Sequence, residues 1–257
     1  MSLRNPLRRL WETGGMALNG WIALPSPLAA EAMARAGWNS LTIDLQHGTA
    51  DYADLLSILP VIEKAGIAPL VRVPWLDEAA IMRALDAGAL GIIAPMIQTA
   101  ADARRLVDAC LYPPLGARSF GPIRARLAHG DGYTVAAANA EILAFAMIET
   151  RQAVANLDAI LAVPGLGGIY IGPADLALSH GLAPGFDRAE PEMLDLLDHI
   201  LARCKAAGLP CALHCGQPAY AARMASRGFA LLTVGSDARF IEAGAHAAVA
   251  EFRGRPR

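Results

Sequence analysis

Short apolar runs recur along the whole chain, and within them polar residues do not occupy every second position. Runs of this kind are typical of strands that are buried on both faces, as in a parallel sheet covered by helices. We predict eight such strands, at residues 20–23, 41–44, 69–73, 91–94, 145–148, 168–171, 211–213 and 231–234.

Segments with the spacing of amphipathic helices fill the gaps between these runs. They are residues 27–36, 52–64, 78–87, 99–111, 152–161, 191–207, 218–226 and 236–252. Several of them end at a glycine directly before the next run, and glycine most easily takes the left-handed conformation of a helix C-cap. Alternating strand and helix units of this number predict an α/β fold, a (β/α)8 TIM barrel, rather than a doubly wound sheet.

No linker or low-complexity segment interrupts this pattern, so we predict a single barrel domain over residues 1–257. One segment, residues 112–139, is long and rich in glycine, proline and arginine. A connection of this length inside a compact domain is usually functional. We therefore predict a functional loop with short helices there.

Hydrophobic residues make up 54% of the chain and charged residues only 18%. This composition predicts subunit interfaces in addition to a core. The formal net charge of −2 gives no reason to expect binding to nucleic acid or to an anionic membrane. No apolar run reaches the about 18 residues of a membrane span. The basic N-terminal stretch lacks the apolar segment of a secretory signal, and four scattered cysteines suit a reducing compartment, so we expect a cytoplasmic protein.

Reactive side chains follow the predicted strands at the C-terminal strand ends, where a barrel places its active site. Each of them has a structural alternative, as a helix cap, an ion pair or packing. The candidates are Asp44 and His47 after the second strand, Arg72 and Trp75 at the third, Glu149 after the fifth, Asp175 after the sixth, His214 after the seventh, and Ser236 and Asp237 after the eighth.

Glu149 and Asp175 belong together because the strand, helix and strand around them form a βαβ crossover, which makes the two strands a parallel pair. Two carboxylates at the same end of a sheet need a cation or a shared proton, and hard oxygen ligands suit Mg or Mn. A zinc site at Cys211, His214 and Cys215 would need a fourth ligand and better spacing. Packing beside a barrel strand is the preferred interpretation of those three residues.

Six strings occur in order along nearly the whole chain: T-I-D-L-Q-H-G, V-R-V-P, L-D-A-G-A-L-G-I-I-A-P-M, Y-P-P-L-G-A-R-S-F-G-P, I-E-T and G-I-Y-I-G-P-A-D-L-A. Together they resemble the HpcH/HpaI aldolases, also called class II pyruvate aldolases. The resemblance implies a (β/α)8 barrel, often hexameric, in which neighbouring subunits exchange the last helix. It also implies a divalent metal, Mg, Mn or Co. The implied reaction is reversible cleavage of a 4-hydroxy-2-oxo acid to pyruvate, or a related 2-oxo acid, and an aldehyde by way of a metal-stabilised enolate.

Carried over residue by residue, the resemblance makes Glu149 and Asp175 the metal ligands. Arg72 would face the pyruvate oxygen that becomes the enolate oxygen. His47, oriented by Asp44, would act as acid and base through a water.

The resemblance also implies substrate contacts. Gly172 begins a turn in which the backbone N–H groups of Ala174 and Asp175 would take the pyruvate carboxylate. Arg118 and Ser119 lie in the loop that shapes the pocket of the second substrate, so we interpret them as specificity residues.

Asp86 resembles a family aspartate that reaches the site of a neighbouring subunit. Trp75 is a further substrate candidate, and its alternative is packing at the barrel rim. The chain departs from many family members at Leu45-Gln46, where they carry Gly-Glu. A change of charge next to the histidine bears on the aldehyde preference and on the proton relay.

Two other functions stay open at this point. One is a CoA-thioester lyase of the citrate-lyase-β or malyl-CoA type, because the arginines between residues 118 and 126 could meet nucleotide phosphates. The other is a non-catalytic barrel that binds a keto acid or a metal. The sequence does not name the aldehyde.

Overall fold

Eight parallel strands close into a barrel in the order of the sequence, with β8 paired to β1. The structure, a computed structural model, describes residues 3–254, so residues 1–2 and 255–257 of the predicted domain lie outside the described residues. The predicted (β/α)8 barrel is confirmed. The strands are β1 (Ala17–Ile22), β2 (Ser40–Asp44), β3 (Ala68–Arg72), β4 (Gly91–Ala94), β5 (Leu143–Ile148), β6 (Gly168–Ile171), β7 (Cys211–Cys215) and β8 (Leu231–Ser236).

Helices surround the barrel, and many of those that follow a strand begin at a Ser, Thr or Asp side chain that accepts a backbone N–H of the first turn. The helices are α1 (Pro6–Glu12), α2 (Pro27–Ala34), α3 (Tyr52–Lys64), α4 (Glu78–Asp86), α5 (Ala100–Cys110), α6 (Ile123–His129), α7 (Val135–Glu141), α8 (Arg151–Ala155), α9 (Leu157–Leu161), α10 (Pro173–Ser179), α11 (Pro191–Ala206), α12 (Pro218–Arg227) and α13 (Asp237–Phe252).

The predicted single helix at residues 152–161 is wrong, because α8 and α9 are separated at Asn156. The Asn156 side chain donates from Nδ2 to the carbonyl oxygen of Gln98 at 2.8 Å, which ties the break to the loop after β4. Two short helices, α1 and α10, are not predicted by the pattern. The long segment at residues 112–139 does contain short helices, α6 and the start of α7.

Successive side chains of each strand point to opposite faces of the sheet, and they form two separate cores. Residues that point outward from the strands pack under the helices, whereas Ala17, Leu70, Phe145, Tyr170 and Leu231 point inward and form a separate cluster inside the barrel. Side chains that follow in the same inward register at the C-terminal strand ends therefore converge on one mouth.

Helix α1 closes the opposite end of the barrel. Leu7 is fully buried in the inner cluster, and Trp11 packs edge-on against Phe145 with ring centroids 6.3 Å apart. Asn5 caps the helix and donates to the carbonyl oxygens of Leu90 and Glu141. With this end plugged, the mouth at the C-terminal strand ends is the accessible side of the barrel.

Helix α13 contacts the barrel through its first turn. Asp237 is buried and accepts the backbone N–H groups of Ala23 and Leu24 at 2.8 and 3.2 Å, and Phe240 stacks on Trp38 at 6.3 Å. Residues 240–249 are all exposed. Exchange of this helix between subunits stays a prediction. Within residues 3–254, no helix has both the length and the apolar character needed to cross a membrane.

Candidate active site

A cavity of about 470 Å³ opens at the C-terminal ends of the strands. It brings together nine residues that the sequence singled out: Asp44, His47, Arg72, Glu149, Gly172, Ala174, Asp175, His214 and Ser236. Its remaining lining residues are Trp21, Ala23, Met147, Pro173, Phe186, Gly235 and Arg239.

Asp44 and Arg72 form a bidentate ion pair on the neighbouring strands β2 and β3. Arg72 donates from Nε to one carboxylate oxygen at 2.8 Å and from Nη2 to the other at 2.6 Å. The indole N–H of Trp21 also donates to Asp44, at 3.2 Å, and its ring lies 4.9 Å from the guanidinium carbon of Arg72. Burial raises the pKa of Asp44, but the hydrogen bonds and charge of Arg72 outweigh it and hold that pKa below its usual range.

Asp44 contacts the loop that carries His47 through backbone N–H groups, and the orientation of the imidazole by Asp44 stays a prediction. Asp44 accepts the backbone N–H of Gln46 at 3.0 Å and that of His47 at 3.4 Å, so it shapes the loop and also holds Arg72. Gly48 makes this loop possible, because a Cβ there would collide with the carbonyl oxygen of Asp44. His47 is exposed at the edge of the cavity.

Glu149 is buried at the end of β5, with only 2% of its surface exposed. Met96 donates its backbone N–H to Glu149 Oε1 at 2.7 Å, and it does so from a left-handed backbone conformation, with φ of 57°. Burial raises the pKa of Glu149 to about 7, against the Met96 hydrogen bond, and the charge of Asp175 adds to the rise. A carboxylate in this position gains from a nearby cation.

Asp175 lies in the first turn of α10, which begins directly after β6. Pro173 occupies the first helical position, where a missing N–H costs nothing. Gly172 precedes it, and a Cβ at Gly172 would collide with Glu149 Oε2. The absence of a side chain at Gly172 therefore leaves room for the Glu149 carboxylate, which faces the cavity beside Asp175.

His214 projects from β7 into the barrel and lies between aromatic rings. It stacks on Phe186 with centroids 4.8 Å apart and meets Trp21 edge-on at 4.9 Å. Burial, followed by the charges of Arg72 and Arg239, lowers the pKa of His214 to about 3, so the ring is neutral. Cys211 and Cys215 point outward into the helix-packed core. Because His214 points into the barrel and the two cysteines point away from it, the three side chains cannot share one zinc ion.

Four of the predicted substrate residues lie away from this cavity in the subunit. Trp75 is 56% exposed at the rim. Arg118 donates to Asp86 at 2.6 Å, and its buried guanidinium lies over the Tyr112 ring. Arg118 and Ser119 line a groove with residues of α4 and α5 on the outside of the barrel. Their predicted contacts with substrate stay predictions.

The sequence matches the family model of the HpcH/HpaI aldolase/citrate lyase over residues 18–242. The chain belongs to the HpcH/HpaI aldolase/citrate lyase family. It is 43% identical over 249 residues to a hydroxypyruvate/pyruvate aldolase of Rhizorhabdus wittichii, covering 97% of this chain and 99% of the relative. It is 38% identical to a 4-hydroxy-2-oxovalerate aldolase of Novosphingobium aromaticivorans, covering 80% of this chain and 78% of the relative.

The fold comparison agrees. A crystal structure of an HpcH/HpaI aldolase/citrate lyase family protein from Burkholderia cenocepacia superimposes with a TM-score of 0.87 at 32% identity, covering 96% of this chain and 98% of that one. The family resemblance predicted from the six sequence strings is confirmed.

Several residues of this HpcH/HpaI cavity are not found by inspecting the strand ends. Trp21 lies within an apolar run, where parity cannot be assigned from the sequence, and so does Tyr170, which bonds to the cavity residue His214 from inside the barrel. Phe186 lies in the loop between α10 and α11, and Arg239 lies in the first turn of α13. Among these residues, only Arg239 could have been predicted from the sequence, because it lies in the first helical turn after β8, which faces the same mouth.

Proposed function

We propose that this chain is a metal-dependent aldolase that reversibly cleaves a 4-hydroxy-2-oxo acid to pyruvate, or a related 2-oxo acid, and an aldehyde. The observation that carries the proposal is one cavity that combines a fixed cation, Arg72 on Asp44, with a buried carboxylate, Glu149, beside a second one, Asp175. The relatives named as pyruvate and hydroxy-oxo-acid aldolases support the same reaction type.

Glu149 and Asp175 fit a divalent metal as ligands. Burial makes a lone charge on Glu149 costly, and both ligands are hard oxygen donors of the kind that Mg and Mn prefer. Within residues 3–254, no group of three or more His, Cys, Asp and Glu side chains is arranged to hold a metal. A two-carboxylate site suits an ion that keeps substrate and water as its other ligands. A bound divalent ion would act as a Lewis acid toward the 2-oxo group.

Arg72 stabilises the negative charge that develops on the 2-oxo oxygen when the C3–C4 bond breaks. Its Nε and Nη2 are held by Asp44, so the guanidinium plane is fixed before substrate arrives, and its Nη1 side remains for a substrate oxygen. The backbone N–H groups of Ala174 and Asp175, in the first turn of α10, take the substrate carboxylate.

His47 moves the proton of the 4-hydroxyl group. Its exposed position at the cavity edge lets it act through a water, accepting the proton during cleavage and returning it in the synthetic direction. The neighbouring Leu45 and Gln46 carry no charge, so the histidine works without a carboxylate beside it in the sequence.

We further propose that the protein works as a homo-oligomer of six subunits, the number that the family resemblance implies. We also propose that it works in the cytoplasm. The exposed face of α13, with Ile241 58% and Phe252 93% exposed, supports a partner subunit. All four cysteines, which lie in the described part of the chain, are buried and unpaired, which suits a reducing compartment. Light scattering at micromolar concentration tests the assembly, and a monomer mass would contradict it.

An aldehyde panel tests the activity. Pyruvate and hydroxypyruvate are each incubated with short aldehydes, hydroxyaldehydes and semialdehydes in the presence of Mn, and aldol products are quantified. We expect carbon–carbon bond formation with at least one pair. Turnover of a CoA thioester without any aldol product would favour the CoA-lyase alternative instead.

A further inference from the structure

A chain of buried polar side chains crosses the inside of the barrel and ends at the cavity. It links β2 to β1, β1 to β8, β8 to β6 and β6 to β7, in the middle of an otherwise apolar inner cluster. Its members are Ser40, Thr42, Asn19, Thr233, Tyr170 and His214. Buried polar groups are costly unless every hydrogen finds an acceptor, so the chain has to run in a consistent direction.

The direction is set at β2. The hydroxyl groups of Ser40 and Thr42 reach Asn19 Oδ1 at 2.8 and 3.1 Å, and all three residues have no exposed surface. Both hydroxyl hydrogens are satisfied when they are donated to this oxygen. The Asn19 amide nitrogen then faces Thr233 Oγ1 at 2.8 Å, and an amide nitrogen can only donate.

Thr233 therefore accepts from Asn19 and passes its own hydrogen to the Tyr170 oxygen, 2.6 Å away. The Tyr170 hydroxyl is left to donate to His214 Nδ1 at 3.0 Å. A neutral imidazole whose Nδ1 accepts carries its proton on Nε2. His214 lines the cavity with its Nδ1 edge bound to Tyr170, which leaves the Nε2–H edge as the one available to a ligand.

This donor is unusual in its surroundings. The rings of Phe186 and Trp21 contact His214 and form an apolar, aromatic wall around it. The ring remains neutral over the working pH range, because burial and the charges of Arg72 and Arg239 disfavour its protonation. A single fixed, uncharged N–H donor in an apolar wall is matched by an uncharged oxygen on the ligand.

We propose that His214 is a specificity-determining residue whose Nε2–H donates to a hydroxyl oxygen of the substrate, so that the enzyme prefers hydroxylated substrates over their deoxy analogues. The inference rests on the proposed aldolase function. Two parts of the substrate could supply the hydroxyl, namely C3 of the 2-oxo acid, as in hydroxypyruvate, or the carbon next to the aldehyde group, as in glycolaldehyde.

Matched substrate pairs separate the two sources. The ratio of kcat/KM is measured for hydroxypyruvate against pyruvate with one aldehyde, and for glycolaldehyde against acetaldehyde with one 2-oxo acid. We expect His214→Phe to lower one of the two ratios about tenfold, the usual effect of losing one hydrogen bond to a substrate. The ratio that falls identifies the source. His214→Gln, which retains an N–H donor, should recover part of the preference.

Two further variants complete the design. Cys215 lies on the outward face of the same strand as His214. The control variant Cys215→Ala should therefore leave both kcat/KM ratios at the wild-type value. Tyr170→Phe removes the group that positions the ring, and it should lower the same ratio as His214→Phe. Unchanged ratios for both pairs in His214→Phe would overturn the proposal.

A measurement independent of turnover tests the tautomer. ¹⁵N NMR of the histidine rings, with His214→Phe for assignment, should show His214 with a protonated Nε2 and an unprotonated Nδ1 in the wild type, and a changed pattern in Tyr170→Phe. A protonated Nδ1 would refute the inference even in an active aldolase. A protein with the expected tautomer but no aldol product from any pair would refute the proposed function, and the substrate preference with it.

Discussion

Arg72 is clamped by Asp44 through two parallel hydrogen bonds, from Nε at 2.8 Å and from Nη2 at 2.6 Å. The side chains are only 13% and 4% exposed, so solvent screens the pair little. A guanidinium held in this way offers a donor of fixed direction to the cavity. The role proposed for Arg72 thus depends on a carboxylate that need not touch the substrate.

Arg72→Lys should fold and lose most activity, with kcat/KM reduced by about 10²–10³, because an ammonium on a flexible stem cannot be clamped by two hydrogen bonds. Steady-state kinetics and thermal unfolding measure the two effects. Arg203→Lys, in an exposed ion pair with Asp158, is the matched control and should retain wild-type kinetics. Near wild-type turnover in Arg72→Lys would make Arg72 a structural ion pair only.

Glu149→Gln and Asp175→Asn should each weaken Mn binding and remove most turnover while the barrel stays folded. Glutamine retains an oxygen that can accept the Met96 N–H, so the local structure is preserved. Isothermal titration with Mn is the measurement, and the exposed Glu192→Gln is the control. Wild-type affinity for Mn in both variants would show that Glu149 and Asp175 are not the metal ligands.

His47→Ala should reduce the rate by about 10²–10⁴, the range for a positioned acid–base group. Affinity for pyruvate should change little, because other groups hold the 2-oxo acid. Pre-steady-state rates and pyruvate titration separate the effects, with the exposed His199→Ala as control. A collapse of pyruvate binding would show that His47 supports the site rather than moving protons.

His214 should make the fold sensitive to acid. Its pKa is about 3 in the folded protein, below the ordinary value of 6.5, so between these limits the unfolded chain binds more protons. Stability from this group is present above about pH 6.5 and is lost as the pH falls toward 3.

Chemical unfolding of wild type and His214→Phe at several pH values measures this term as the difference between the two proteins. The difference is needed because Glu149, with a raised pKa, contributes a slope of opposite sign. The stability advantage of wild type over the variant should shrink as the pH falls. An advantage that is constant from pH 7 to pH 4 would contradict the buried, neutral ring.

The sequence was sufficient for the barrel because its signals agree. Buried runs, helical periods and glycine C-caps alternate without a break, and the strand-end rule then places Asp44, Arg72, Glu149 and Asp175 at one mouth. Local spacing could not show the break at Asn156, where the side chain bonds to the carbonyl oxygen of Gln98 on another loop.

The aromatic residues in the cavity and directly beneath it are hidden in the sequence for a different reason. Trp21 and Tyr170 belong to runs that are apolar on both faces, so only the observed register shows that they point inward. The chain of polar side chains from Ser40 to His214 is likewise assembled from five strands, and no short motif carries it. Such features depend on the pairing of strands that are far apart in the sequence.

We propose that a metal at Glu149 and Asp175, and not a covalent lysine adduct, supports carbanion chemistry in this cavity. The chain has two lysines, Lys64 and Lys205. Lys64 ends α3, a helix that starts at the catalytic end of β2, and Lys205 donates to the carbonyl oxygen of Arg227 at the end of α12. Both therefore lie toward the opposite end of the barrel, out of reach of the cavity.

The decisive measurement is exchange of the pyruvate methyl protons with solvent deuterium, followed by ¹H NMR, since it reports carbanion formation without an aldehyde. We expect exchange with Mn or Mg, loss of exchange in chelator-treated enzyme and recovery when the metal is added back. Exchange at the full rate in metal-free enzyme, with borohydride trapping pyruvate on Lys64 or Lys205, would contradict the proposal.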